Sequence, residues 1–412
     1  MRICFVSRRY FPAISGMSVY ALNLMRALVE AGHDVVMVSQ YRDDAFGRGV
    51  YGGGPPPAVP GVRVIGLEQK GEAESGDFER DIDEMVATIA AEHARLPFDL
   101  LHAQYGYPTG WAALLASRAL RVPNVVSIQG GDGHWVGSCC ETHRLAMTRV
   151  LDHAGAVLIG CRSFADEVCE RLGTDPARFT IVPGAVDTSR FVPDKRPRDS
   201  GPRDPEAPPV LLYHGRVDRR KGALDMIQAL TLLRDEGLPF RLVVSGIGPD
   251  LDETARHLQA TGLDALTTMR GYVDYDHAPD AYAGADIFVS PTYAEGFSNT
   301  ILEAMATGLA TISCRVVGVV DCLRDGENGL LTEAGDIPAL AAGLRRLITD
   351  RALRQRLAGT ALEECRRVYS WQAVAGQIMR VYATVAGSTP DTSFEATLPR
   401  DPCRYRTSPH LL

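Results

Sequence analysis

No apolar run in this 412-residue chain approaches the roughly 18 residues that a membrane-spanning helix requires. The opening segment MRICFVSRRY also turns polar too soon for a signal peptide. A cytoplasmic protein without a transmembrane segment is therefore expected, with peripheral attachment to a membrane surface left open. Basic residues are in deficit, 43 Lys and Arg against 51 Asp and Glu. That balance leaves no broad surface for nucleic acid, although local cations can still hold phosphate groups. Nine cysteines, an odd number with no Cys-x-x-Cys pair, argue against a disulfide framework and for reduced thiols.

What is present is enough apolar material, 45% of the residues, to fill two cores better than one. Short continuous apolar runs recur at Ile3 to Val6, Val35 to Val38, Val62 to Ile65, Leu100 to Leu101, Val125 to Ile128, Val157 to Ile159 and Thr180 to Val182. Helical spacing separates several of them, as at Tyr20, Leu24, Ala27 and Leu28 and over Ala112 to Ala119 and Arg144 to His153. Buried strands alternating with helices predict a parallel sheet covered on both faces. Pro193 to Pro209 then carries six prolines among many charges and reads as a linker. A second series opens at Val210 to Tyr213 and continues through Arg241 to Val244, Ile287 to Val289 and Ala310 to Ser313.

Two Rossmann-like domains in tandem are thus expected: residues 1–190, a linker at 191–209 and a second domain over 210–370. A last helix over Trp371 to Val385 leads to a polar tail, 388–412, whose Pro, Thr and Ser content predicts disorder.

Four stretches bear on chemistry. HGRVDRRKG, from His214 to Gly222, follows the strand that opens the second domain. Ligands of such sheets bind beyond the carboxyl ends of the strands, where Arg216 and Lys221 would supply two cations for phosphate. The plain alternative is a solvated basic turn. Next, SGIGPD, from Ser245 to Asp250, has two glycines after a strand but lacks the third glycine and the later acidic residue of a dinucleotide fingerprint. Asp-x-Asp occurs at Asp81/Asp83, Asp250/Asp252 and Asp274/Asp276, scattered copies that read as solvated faces rather than a Mg²⁺ site. HWVGSCCETH, from His134 to His143, raises zinc. Its spacing matches no common finger, and vicinal Cys139 and Cys140 would strain to reach one ion, so a reduced pair and no metal are expected.

EGFSNTILE, from Glu295 to Glu303, is the fourth stretch. Pro291 ends the strand before it, Ser298 or Thr300 can cap a helix, and Gly308 can stop that helix. Glu295 then lies in a loop and Glu303 within the helix, so both can face one ligand. Gly296 permits close backbone approach, and free N–H groups at the helix start can donate to phosphate or sugar oxygens. Two ordinary surface carboxylates are the competing reading.

These segments together resemble the family 4 retaining glycosyltransferases, to about Ala386. The matching features are the spaced glutamates Glu295 and Glu303, the Gly215-Arg216 and Lys221-Gly222 pairs, the GIGP turn from Gly246 to Pro249 and the PAISG loop from Pro12 to Gly16. The resemblance implies a GT-B fold, an α/β arrangement of two facing Rossmann-like domains with parallel sheets. In it, 371–387 crosses back to complete an acceptor-side first domain, and 210–370 binds the nucleotide sugar. It also implies a hexosyltransferase that takes a hexose or N-acetylhexosamine from a UDP-sugar, GDP-sugar or similar donor. The acceptor is a hydroxyl on a glycan, a lipid-linked saccharide or a small glycoside, and neither metal nor cofactor takes part.

By this resemblance Arg216 and Lys221 hold the diphosphate, Glu295 lies at the transferred sugar and Glu303 binds the ribose, with Glu295, Arg216 and Lys221 the catalytic groups. Gly16, Arg270, Tyr272, Phe297, Ser298, Asn299, Thr300 and Ile301 complete the donor site, and His102, Gln129 and Asp132 stand on the acceptor or sugar side. The chain departs from the family at Met17, where a glycine is frequent, and at Gln104 and Gln129, where histidines are frequent. Gln129 cannot take up a proton at neutral pH, so no acid/base role carries over to it. A sugar-nucleotide epimerase and a non-catalytic sugar-nucleotide-binding subunit are the alternatives.

Overall fold

The computed structural model describes residues 1–13, 15–45, 52–193 and 207–408. It divides into two compact units, one formed by Met1–Pro183 with the segment from Trp371 onward, the other by Gly184–Ser370. The turn of chain after Pro183 belongs to the second unit, not to the first as expected from 1–190. Val186 donates its N–H to Tyr369 O, and Phe191 is buried in the second unit's core. Of the expected linker, residues 194–206 lie outside the described residues.

The first unit carries β1 (Arg2–Ser7), β2 (Asp34–Tyr41), β3 (Val62–Glu68), β4 (Leu100–Gln104), β5 (Asn124–Ile128), β6 (Ala156–Ile159) and β7 (Phe179–Ile181). They form one parallel sheet in the order β3-β2-β1-β4-β5-β6-β7. Central β1 pairs Ile3 with Val35 on one side and Leu100 on the other, all fully buried, which is why these strands read as unbroken apolar runs. Helix Gly16–Glu30 starts where the Ser15 side chain accepts from Ser18 N–H. Helix Trp371–Val385 returns to this unit, and its Trp371 ring meets Tyr20 edge-on at 5.3 Å.

The second unit carries β8 (Val210–His214), β9 (Arg241–Ser245), β10 (Thr267–Gly271), β11 (Ile287–Ser290), β12 (Ala310–Cys314) and β13 (Leu330–Thr332), ordered β10-β9-β8-β11-β12-β13 and all parallel. Alternate residues sort the core onto two faces. Leu211, Leu242, Ile287, Ile312 and Leu330 pack with helices Ala223–Asp235 and Ile337–Thr349. Leu212, Phe288 and Leu331 pack with helices Asn299–Ala306 and Arg351–Val368. Strands β10 and β13 lie at the sheet's edges and escape detection as apolar runs, because β10 reads TTMRG with an exposed centre and β13 spans three residues.

The tail differs from the disorder expected of it. Residues 388–408 lie along the first unit as a strap, and α-helical structure returns at Arg404–Thr407. Phe394 is buried beside Trp111 and His153, Thr142 Oγ1 donates to Pro399 O, and Tyr405 is 1% exposed. Arg406 pairs in two bonds with Glu79 and donates to Gly76 O. Two aromatic anchors and one forked arginine outweigh a composition that is otherwise that of a linker.

Candidate functional site

Within the second unit the strand order, counted from its own first strand, is 3-2-1-4-5-6. The connections leave β8 toward β9 on one side and toward β11 on the other, and ligands of doubly wound sheets bind at that switch point. The loops after β8, β9, β10 and β11 interlock there. Gly215 N–H donates to Ser245 O, Val217 N–H to Ile247 O, Gly246 N–H to Gly271 O, and Tyr293 N–H to Arg220 O.

The glycines of these loops make the fit possible. A Cβ on Gly246, at φ +137°, would lie 1.8 Å from Gly215 O, and one on Gly222, at φ +71°, would lie 2.0 Å from Pro291 O. The GIGP turn is thus a packing element for the neighbouring loop rather than half of a dinucleotide fingerprint.

Arg216 precedes and Lys221 ends a 3₁₀ turn, Arg219–Lys221, capped by buried Asp218, which accepts from the N–H groups of Arg220 and Lys221. Asp218 also lies 3.3 Å from Arg216 Nε, and buried Tyr213 donates its hydroxyl to Arg216 O, so the exposed guanidinium stands on a fixed backbone. Lys221 Nζ reaches Glu295 Oε1 at 2.6 Å. Glu295 is held in turn by its N–H on Val317 O, and Gly318, at φ +76°, leaves room for the Glu295 carbonyl.

Helix Asn299–Ala306 begins beside Gly215, where a Cβ would meet Thr300 Cγ2 at 3.7 Å. Ser298 sits at the N-cap without a side-chain bond to the helix amides and faces Thr300 Oγ1 at 3.3 Å. Phe297 packs on Gly184 and Tyr369, Asn299 lies beside Gly184, and Ile301 is core. Glu303 is almost wholly buried and accepts from Tyr282 Oη at 2.6 Å. Burial lifts its carboxyl to about 7, against the pull of the Tyr282 hydroxyl and the Arg190 charge. Arg270 and Tyr272 stand exposed at the end of β10, next to the Gly246 turn.

The structure therefore gathers Arg216, Lys221, Glu295, Glu303, Arg270, Tyr272 and Phe297 to Ile301 at one edge of one sheet. Asp218, Tyr213 and Tyr282, which hold this set in place, carry no motif of their own. Their roles become visible only with the hydrogen bonds.

The residues expected on the acceptor side belong to the first unit and are turned inward. His102 is fully buried, with Nδ1 2.5 Å from Tyr382 Oη and Nε2 2.7 Å from Ser127 Oγ. Burial pulls its pKa down to about 3, so the ring is neutral and both nitrogens are engaged. His102, placed on the acceptor or sugar side by the resemblance, is thus a satisfied strand-end histidine. Asp132 is also fully buried, and accepts from the N–H groups of Gly106, Gln129 and Gly130, so it organises the loops after β4 and β5. Gln129, half-buried, accepts from Gln104 Nε2 at 2.9 Å, and Gln104 in turn donates to Met17 O and accepts from Ser7 Oγ. Gly16 is the first residue of helix Gly16–Glu30, while Ile14 of the same loop lies outside the described residues. Beside them, Tyr105 holds φ +87° in a buried loop, a strained geometry with no sequence signal.

The leading aspartates of the three Asp-x-Asp pairs have local roles. Asp81 accepts from Gly71 and Glu72 N–H, Asp250 from Arg219 N–H, and Asp274 from His277. Cys139 and Cys140, expected to strain to reach one ion, have sulfurs 4.0 Å apart.

A doubly wound parallel sheet in each unit, with a cationic and carboxylate edge at the switch point of the second, is the architecture of a GT-B glycosyltransferase. Two family profiles agree: "Glycosyl transferase 4-like domain" matches residues 15–185 and "Glycosyl transferases group 1" matches residues 208–350. The chain belongs to these family 4-like glycosyltransferases. It is 28% identical over 410 residues to glycogen synthase of Mycobacterium tuberculosis, covering 93% of this chain and 94% of that protein. It is 27% identical over 416 residues to D-inositol 3-phosphate glycosyltransferase of Xylanimonas cellulosilytica, covering 91% and 93%. A solved Anabaena protein, HepE in complex with UDP and glucose, shares the fold at TM-score 0.71 and 17% identity, covering 93% of this chain and all of the other. Among the described residues no helix is long and apolar enough to cross a membrane.

Proposed function

We propose that this glycosyltransferase moves a hexose or N-acetylhexosamine from a nucleotide diphosphate sugar to a hydroxyl acceptor, with retention at the anomeric carbon and without a metal ion. The observation that carries the reading is the Lys221–Glu295 contact at 2.6 Å beside Arg216, all at the switch point. Lys221 there is held ready by a carboxylate, and a diphosphate can share or replace that partner.

In the reaction the bond from the anomeric carbon to the diphosphate breaks, and negative charge grows on the departing oxygen. Arg216 and Lys221, with the amides at the start of helix Asn299–Ala306, stabilise that charge in the place of a metal. The acceptor oxygen bonds to the anomeric carbon on the face the leaving group vacates, and its proton passes to a diphosphate oxygen. Glu295 orients the sugar's hydroxyls, Glu303 the ribose, and Arg270 and Tyr272 flank the base. The names of the two relatives, a glycogen synthase and an inositol phosphate glycosyltransferase, support a hydroxyl acceptor on a sugar or cyclitol.

The test begins with thermal stabilisation of the purified chain by UDP-, GDP-, ADP- and TDP-sugars. The donor so found is then incubated with mono- and oligosaccharide and inositol phosphate acceptors in excess chelator. One base class should stabilise, and the α or β configuration of the donor should persist in a product. A donor converted to its epimer without acceptor would establish the epimerase reading instead, and donor binding without hydrolysis or transfer would establish the binding subunit.

A further inference from the structure

At the far end of the first unit's loop after β5, three cysteines and a histidine converge from segments more than 250 residues apart. Cys139 and Cys140 precede helix Glu141–His153, His143 lies in its first turn, and Cys403 comes from the strap. One donor atom from each lies within 4.8 Å of the other three. Cys139 Sγ is 4.0 Å from Cys140 Sγ and 3.1 Å from His143 Nδ1, and Cys403 Sγ is 3.6 Å from the same nitrogen.

A tetrahedral zinc with Zn–S near 2.3 Å and Zn–N near 2.0 Å has S···S edges of about 3.8 Å and S···N edges of about 3.5 Å. The separations of 4.0, 3.1 and 3.6 Å scatter around those values and no pair exceeds 4.8 Å, so an ion at the centre needs shifts of at most about an ångström. We propose that Cys139, Cys140, His143 and Cys403 bind one structural zinc ion, which clamps the carboxyl-terminal strap to the first unit.

The surroundings suit such an ion. His143 is fully buried, and its Nε2 has no hydrogen-bond partner among the described residues, which leaves Nδ1 as the nitrogen that faces the sulfurs. The Tyr107 ring at 4.5 Å, Phe78 at 5.8 Å and Tyr405 at 6.0 Å enclose the imidazole and keep water away.

Three thiolates and one imidazole leave a zinc site with one net negative charge. Arg406 is close enough for its charge to act on both His143 and Cys403. The Tyr107 hydroxyl is buried without a hydrogen-bond partner among the described residues and is positioned to feel charge on Cys140 and Cys403. The strap has two buried aromatic anchors, Phe394 and Tyr405, on either side of which the chain is exposed. A metal bond at Cys403 would fix the segment between them.

The full chain, purified under reducing conditions without chelator or a histidine tag, should contain about one zinc per chain by mass spectrometry of the metal. Cys403→Ser and Cys139→Ser should each lose at least nine-tenths of it, while Cys161→Ser, at a buried cysteine outside the cluster, keeps it. Replacement of zinc by Co²⁺ should give thiolate charge-transfer and tetrahedral ligand-field absorption bands, absent from Cys403→Ser. Chelation should speed proteolysis of the strap in the parent chain and leave Cys403→Ser, already fast, unchanged. Less than one-tenth equivalent of zinc after incubation with Zn²⁺ would overturn the proposal. So would zinc retained by both serine variants, or seven rather than nine titratable thiols in the unfolded chain as isolated without reductant, the signature of a disulfide.

Discussion

The two units share one strand order up to the sixth strand, yet the carboxyl edges of their sheets have opposite character. In the second unit the edge presents charge outward, with Arg216 exposed and the Lys221–Glu295 pair half-open. In the first unit the matching edge consumes its own polar groups: His102 with Ser127 and Tyr382, Gln104 with Ser7 and Gln129, Asp132 with three backbone N–H groups. A polar side chain whose hydrogen bonds are all spent inside the fold contributes structure, while one held by a single replaceable partner is available to a ligand. The same architecture therefore leaves replaceable charges at one edge, where the donor site is proposed, and a closed polar network at the other.

Substitutions should separate the two edges. Lys221→Ala, Arg216→Ala and Glu295→Gln should each lower turnover by about 10²- to 10³-fold, the usual cost of removing one preorganised partner of a charged transition state. Their melting temperatures should stay near that of the parent, because partly exposed ion pairs contribute only about 0–1 kcal/mol. His102→Ala should do the reverse. It opens a cavity and strands the Tyr382 and Ser127 hydroxyls, costing about 2–4 kcal/mol in a urea titration, while turnover of the folded fraction changes little. Parent-like turnover in all three second-unit variants, or parent-like stability in His102→Ala, would erase the distinction.

Gly246→Ala tests whether interlocked loops, rather than charges alone, make the second edge competent. The added Cβ meets Gly215 O and sits at a φ unfavourable to a side chain, so the loop that carries Arg216 must move. Donor affinity measured by calorimetry should fall by about tenfold or more, since misplacement of the positioning groups is costly. An unchanged affinity would show that the cations act independently of the loop packing.

The sheets were legible because buried parallel strands leave unbroken apolar runs, and only β10 and β13, exposed or very short, left none. The second unit's charged edge was legible because Arg216, Lys221, Glu295 and Glu303 sit within two short stretches that each follow a strand. The first unit's edge was not. His102 and Asp132 carry the residue types of catalysis, and nothing local tells that Tyr382, 280 residues away along the chain, occupies one imidazole nitrogen. The strap misled for a similar reason: Phe394, Cys403, Tyr405 and Arg406 are scattered among polar residues, and composition averages them away. Cys403 likewise shows its relation to Cys139 and Cys140 only once the strap is placed.

The finest distinction concerns Glu303 within the second unit's edge, at the proposed donor site. Unlike Glu295, it is buried against Tyr282, and burial raises its pKa to about 7 from the 4.5 of a free glutamate. The sign follows from the raised value: the folded protein keeps this proton between pH 4.5 and 7, so the group's contribution to stability is present at acid pH and lost as pH rises through 7. Ribose hydroxyls donate to a carboxylate better than to a carboxylic acid, so donor binding should expel the proton. Affinity for the donor should then fall from pH 8 to pH 6, by at most about tenfold per unit below 7, with proton release seen as a dependence of the calorimetric enthalpy on buffer. A sugar diphosphate ester has no group that titrates in this window, and nearby His214, held by burial at about 4, stays neutral throughout. Glu303→Gln should bind more weakly at pH 8 and show a flat profile. A parent profile equally flat would mean that Glu303 does not meet the donor as a carboxylate.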